Sequence, residues 1–253
     1  VGGTPRLAFA LWPAETSYAD WLRTDAAEAL KALRLSGICV NLDDDHVAAA
    51  QLRLSTFETP PSAFVFADLV EGATSDVGAD ALAVLRRRAP RVEGWRVETV
   101  VPLAPVAGRA GERDPGLVNV ALIRRRPDID DDAFVQRWLG DHTAVALETQ
   151  DTSGYVQNRV VSGLEATTPE LAAIVEETFR EEGMTDLHAF YGSGGDDAEL
   201  GRRMTVLMES VGRFADDRID VVPTSRYRVL ASLPLVWAGP ERPFLHHSPG
   251  GTG

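Results

Sequence analysis

The chain has a single cysteine, Cys39, in 253 residues, so no disulfide can close within it and an oxidising compartment is not indicated. Set in an apolar run, that thiol reads as a small core residue. No apolar stretch approaches the length of a membrane-spanning helix, and no signal-peptide pattern is visible, which makes the cytoplasm the expected location. Positive charge is scarce: 25 Lys and Arg against 38 Asp and Glu leave a net charge of −13. That balance argues against nucleic acid and against anionic membrane surfaces, both of which require basic patches. The short basic runs at 86–88 and 124–126 read as the solvated ends of a helix and a strand. Metal-ligand patterns are missing as well. There is no HxxxH and no cysteine cluster, and His246-His247 sits in a Gly/Pro-rich tail as an adventitious pair. The Gly192–Gly195 run is followed by Asp196-Asp197 where a phosphate loop would carry Lys, so it reads as a turn. No G-x-S-x-G elbow occurs. No metal is expected.

What the chain does have is a copy of itself. Residues 21–41 and 138–158 align without a gap, and eight of the 21 positions are identical, including Trp21/Trp138, Ser36-Gly37/Ser153-Gly154 and Asn41/Asn158. A second echo pairs Arg96-Val97 and Val101-Pro102-Leu103 with Arg228-Val229 and Leu233-Pro234-Leu235. Two copies of one unit, in the same order, are the economical reading.

The periodicities place the elements. Leu7 to Trp12 is an apolar strand ended by Pro13. A helix from Thr16 or Ser17 to about Leu33 puts Trp21, Leu22, Asp25, Ala29 and Leu33 close to one face. Strands follow at Ile38–Leu42 and Ser62–Val70, then a helix at Asp76–Arg88 and a strand at Trp95–Leu103. Residues 105–116, rich in Gly, Pro and charge, form a linker. The order then repeats: a strand at Leu117–Ile123, a helix at Asp130–Glu148, a strand at Gly154–Val161, a helix at about Asp197–Phe214 and a strand at Ser225–Pro234. Between them, Ala173–Phe179 lies in a segment of helical propensity. The spacing of the first copy predicts a strand there. The domains expected are therefore residues 1–104, the linker, residues 117–238 and a tail from 239 to 253.

This order, β-α-β-β-α-β twice, predicts an α+β fold of two tandem ferredoxin-like units. Each unit has helices on one sheet face and a bare apolar face on the other. Two such faces packed together close an eight-stranded barrel with helices outside. The chain is then a monomer with an internal pseudo-dimer, or a homodimer of such chains.

The second unit resembles the EthD-like proteins of the dimeric α/β-barrel superfamily. The likeness rests on Phe134-Val135-Gln136-Arg137-Trp138-Leu139-Gly140-Asp141-His142, on Ile174–Glu177 with Met184-Thr185-Asp186 and Phe190-Tyr191, and on Phe214–Asp217 followed by Val221-Val222-Pro223-Thr224. It covers most of residues 117–236. The first unit carries Asp25 where His142 stands. Thr143-Ala144 follows His142 where relatives often have a small residue and Pro. The resemblance implies the barrel, a pocket between sheet and helices, and cofactor-independent chemistry.

His142 is the leading acid/base candidate, on the helix face with Phe134, Trp138 and Val145 that should meet the sheet. Its competing role is a core histidine satisfied by a backbone carbonyl. Asp25, its counterpart, would have a raised pKa on a buried stripe, or pair with an Arg. Glu176 and Glu177 point to opposite faces of a strand, and Glu177 is the carboxylate expected beside His142. Trp138 supplies a pocket wall. Tyr155 and Asn158 could line the cavity, though strand alternation lets only one do so readily. Tyr191 could donate a phenolic hydrogen bond. The function expected is proton transfer (isomerisation, cyclisation or dehydration) on a small apolar or aromatic metabolite. The alternative is a non-catalytic binding or accessory protein of a catabolic or polyketide pathway. A haem-binding relative of the same superfamily is a third possibility.

Overall fold

A computed structural model describes residues 3–229 apart from Ala14, Thr16 and Ser75. The expected tail and the Leu233–Leu235 half of the second echo lie outside the described residues.

Apolar runs bounded by Pro, Gly and charge become strands. Helices are interrupted by one wider turn in each half. In chain order the elements are β1 (Thr4–Trp12), α1 (18–32), β2 (Leu35–Leu42), β3 (Ala63–Leu69), α2 (Val77–Leu85) and β4 (Arg91–Leu103), followed by β5 (Leu117–Ile123), α3 (131–149), β6 (Gly154–Gly163), β7 (Ala173–Phe179), α4 (Leu187–Tyr191), α5 (Asp197–Val211) and β8 (Asp220–Arg228). The strands form a closed antiparallel barrel in the order β1-β3-β2-β8-β5-β7-β6-β4. Within it β4-β1-β3-β2 and β8-β5-β7-β6 share the same internal order, and β2–β8 and β4–β6 are the seams. Among the described residues no helix is long and apolar enough to cross a membrane.

Strand alternation sorts side chains into three compartments. Leu7, Phe9 and Leu11 of β1 face outward and pack under α1 and α2. Leu117, Ala121, Tyr155, Val175 and Phe179 face outward under α3 to α5. Ala8, Phe64, Phe66, Trp95, Val120 and Ile174 fill the barrel interior. Each apolar side chain buried this way contributes about 1.5–3 kcal/mol. Cys39 sits inside the barrel, as a small core residue should. The strand at Ala173–Phe179 forms despite its helical propensity because β5 and β6 pair with it on both edges.

The closing strand differs from expectation. It runs Asp220–Arg228, not Ser225–Pro234, whose last residues lie outside the described part. Pro223 reads in sequence as a turn, yet it lies inside β8 opposite Asn119. It is tolerated because the pairing with β2 runs only from Cys39↔Arg228 to Leu42↔Ser225, so Pro223 has a strand neighbour on one side alone.

Candidate functional site

The compartment under α3 is built first by that helix. Asp130 caps it, its carboxylate accepting the Ala133 N–H at 2.8 Å. Residues 136–142 form a π-helical turn inside it. The wider turn lets side chains four apart stay on one face, so Phe134, Trp138, His142 and Ala146 are all buried. Phe134 packs on Trp138 with ring centroids 5.4 Å apart and on Phe214 at 5.8 Å.

His142 meets α5 rather than the sheet. Its Nδ1 is 2.9 Å from the Ser210 hydroxyl and its ring lies 4.8 Å from that of Phe214. Burial holds its imidazole down to about 4, so it is neutral at pH 7. Where Glu177 was the expected neighbour, the hydrogen-bond partner found at Nδ1 is Ser210 of α5.

Glu177 instead occupies the middle of a polar row on the outer face of the sheet. Cross-strand register places Asn119 of β5 on one side of it and Tyr155 of β6 on the other. The Glu177 carboxyl is half-buried. Burial pushes it up to about 7, against an opposing hydrogen bond from Gln150. Tyr155 is 1% exposed, and its phenol is raised first by burial and then by the charge of Glu177. Tyr191 of α4 is raised for the same two reasons. Trp138, Tyr155 and Tyr191 belong to one packed cluster. Into this layer project buried polar atoms with no well-formed hydrogen bond among the described residues: Trp138 Nε1, which stands beside the Tyr155 phenol, Gln150 Oε1 and both amide atoms of Asn119. Buried polar groups normally find partners, so these four atoms near one carboxyl are unspent hydrogen-bonding capacity in this layer. Sequence reasoning missed Asn119 and Gln150. The signal for Asn119 was present, as the lone polar residue in the apolar run Leu117–Ile123.

The remaining candidates lie elsewhere. Asn158 faces into the barrel, where its Oδ1 accepts from Thr99 Oγ1 at 2.7 Å and its Nδ2 donates to Glu176 Oε1 at 3.0 Å. Tyr155 and Asn158 thus occupy opposite faces, as alternation requires. Asp25 is exposed, not on a buried stripe. In the turn at Leu22–Ala26 the inward positions are Trp21, Leu22, Ala26 and Ala27, and Asp25 faces outward. Glu176, also inside the barrel, is 2% exposed and bridges two guanidiniums, Arg6 Nη1 at 3.3 Å and Arg226 Nη2.

Two perturbed groups make opposite contributions to stability. Glu177 is pushed up from 4.5 to about 7, so across that window the folded protein holds a proton the unfolded chain has released. Stability therefore falls as pH rises through it. His142 is held down from 6.5 to about 4, so there the unfolded chain takes a proton the folded protein refuses, and stability falls as pH drops. The wild-type curve should be shallow where the windows overlap. Urea midpoints across that overlap should climb with pH in Glu177→Gln and fall with pH in His142→Gln. Parallel curves for all three proteins would contradict both assignments.

Among the described residues no group of three or more His, Cys, Asp or Glu could hold a metal ion. Of the described histidines, His142 has its Nδ1 on the Ser210 hydroxyl, and His188 has Ser193 at 2.7 Å and Asp197 at 3.3 Å at its two ring nitrogens.

No family model matches the chain, and no curated protein does. Among solved structures it is similar to an anthrone oxidase-like protein, with a TM-score of 0.56 and 10% identity over 92% of this chain and 98% of that one. It is also similar to a protein of Lactobacillus acidophilus NCFM provisionally called a monooxygenase, with a TM-score of 0.50 and 11% identity over 90% and 98% of the two chains. At this identity the likeness is one of fold: the chain is an α+β protein built on a closed eight-stranded antiparallel barrel.

Proposed function

We propose that the chain is an enzyme that removes a proton next to the carbonyl of a small hydroxylated aromatic ketone, with Glu177 as the base. This step is shared by isomerisations, cyclisations and dehydrations. The observation that carries the reading is the Glu177 carboxyl held at about 7 near four buried polar atoms with no well-formed hydrogen bond among the described residues. Trp138 Nε1 and Asn119 Nδ2 can donate to a carbonyl oxygen and to the enolate that develops there. Gln150 Oε1 and Asn119 Oδ1 can accept from ring hydroxyls. Tyr155, Tyr191 and Trp138 supply aromatic walls. The step needs no group beyond these side chains, since a positioned base typically contributes about 10²–10⁴-fold. The name of the anthrone oxidase-like structure refers to an aromatic ketone, which agrees with this substrate class.

His142 belongs in this reading as the residue that fixes α3 against α5, and Asn158 as part of the barrel wall. The same fact favours a second reading, a non-catalytic binding or accessory protein, because the imidazole is tied to Ser210. We also read the two halves as copies of one EthD-like, ferredoxin-like unit. The shared strand order, the π-helical turn in each first helix, and Asn41 and Asn158 at matching places inside the barrel support this.

Binding of 2-hydroxy-1-acetonaphthone, followed by quenching of tryptophan fluorescence, tests the site. Asn119→Leu removes a donor and an acceptor whose loss costs about 1–3 kcal/mol, so Kd should rise about tenfold or more with circular dichroism unchanged. An unaltered Kd would remove Asn119 from the site and leave its two unpartnered atoms without a role.

A further inference from the structure

Inside the barrel, on the face of the sheet away from Glu177, lies a second polar compartment that the proposed chemistry does not use. Arg6, Arg226 and Arg228 all act electrostatically on the thiol of Cys39 there. Three carboxylates answer them. Glu176 takes Arg6 and Arg226, Asp68 takes Arg6 Nε at 2.8 Å, and Asp114 takes Arg228 Nε at 2.9 Å.

The acceptors of this compartment are occupied. Glu176 Oε1 also receives Asn158 Nδ2 at 3.0 Å, and Asp114 Oδ1 receives the Gly108 N–H at 2.8 Å. Asn158 Oδ1 receives Thr99, and Asn41 Oδ1 receives Arg226 Nε at 3.4 Å. What is left over is donor-rich: Asn41 Nδ2 and Arg228 Nη2, which can only donate, and the Thr178 hydroxyl, which can donate or accept, are buried and have no partner among the described residues. Asn41 is 0% and Thr178 5% exposed.

Register gathers these groups at one end of the barrel. Asn41 pairs with Arg226 and Cys39 with Arg228 across the β2–β8 seam, and Thr178 lies opposite Val118, whose other neighbour is Thr224. The 105–116 segment runs along the same end, with the N–H groups of Gly111 and Asp114 bonded to the carbonyls of Arg228 and Arg226.

A water molecule placed here brings two further donors into a compartment where, of the groups named, only the Thr178 hydroxyl is free to accept one. An oxyanion brings acceptors alone. We propose that this end of the barrel binds a small oxyanion, a carboxylate or phosphate group, through Arg228 Nη2, Asn41 Nδ2 and Thr178 Oγ1. The site is independent of Glu177 and stands whether or not that residue moves protons.

The test is the melting temperature of the full chain in sodium acetate and in sodium phosphate, each against sodium chloride at matched ionic strength. A ligand that binds only the folded state raises Tm in a saturable way. We expect at least one of the two anions to raise it by about 2–4 °C beyond chloride. Which of them does so separates a carboxylate from a phosphate site. The rise should be lost in Thr178→Val, which keeps the side-chain shape, and in Asn41→Ala if that variant folds. Equal melting in all three salts would overturn the proposal, as would a rise that survives Thr178→Val unchanged.

Discussion

Glu176→Ala should lower stability by about 3–5 kcal/mol, because it leaves two guanidiniums facing each other in the barrel with their shared carboxylate gone. Glu176 has 2% of its side chain exposed and Arg226 has 3%, so water cannot take over the lost bonds. Arg6 keeps Asp68, whereas Arg226 keeps only the long bond to Asn41 at 3.4 Å. For a chain of this size the change corresponds to a fall in Tm of about 6–20 °C. The residue next to it should behave differently. Glu177→Gln removes a half-buried carboxyl that prefers its proton, so above neutral pH it should leave stability unchanged or raise it. Urea denaturation of the two variants side by side reads the difference. A loss below about 1 kcal/mol for Glu176→Ala would mean that the Arg–Glu–Arg bridge is not holding the barrel.

Glu177→Gln should instead abolish chemistry. In the proposed step the carboxylate takes a proton from the acetyl methyl of 2-hydroxy-1-acetonaphthone, and the electron pair of the C–H bond moves onto the carbonyl oxygen. Trp138 Nε1 and Asn119 Nδ2 meet the charge there. Return of deuterium from D2O labels the methyl group, which NMR follows without knowledge of the natural substrate. The wild-type protein should accelerate this exchange, and Glu177→Gln should reduce the acceleration by about 10²–10⁴-fold. Binding of the same compound should survive, because the amide keeps the shape and polarity of the acid. Tight binding with no exchange in the wild type would shift the assignment to the accessory-protein reading.

Much of the fold is legible in one dimension because the signals are local. Apolar runs such as Leu7–Trp12 and Leu117–Ile123 bounded by Pro, Gly or charge become β1 and β5. The β7 strand is legible only through the spacing of the first half, since propensity alone points to a helix. Pro223 hides the start of β8, because whether a proline can sit in a strand depends on where the neighbouring strand stops. The π-helical turns are invisible in the sequence, and the outward facing of Asp25 does not follow from its alignment with the buried His142. His142 shares the four-residue spacing that brings Trp138 into the site, but the element that meets it is α5, 68 residues away by its Ser210 contact. The bridge from Arg6 to Glu176 spans 170 residues, and no periodicity reports such a pair. Asn119 could have been found, as a single amide in an otherwise apolar strand.

The most direct measurement is the titration of the Glu177 carboxyl itself, by NMR of protein labelled with ¹³C at the glutamate side-chain carboxyls and assigned through Glu177→Gln. A midpoint at about 7 is the predicted result, and it should move when 2-hydroxy-1-acetonaphthone binds. A midpoint near 4.5, unaffected by the ligand, would mean that this carboxyl is an ordinary solvated acid and that the site does not carry protons at neutral pH.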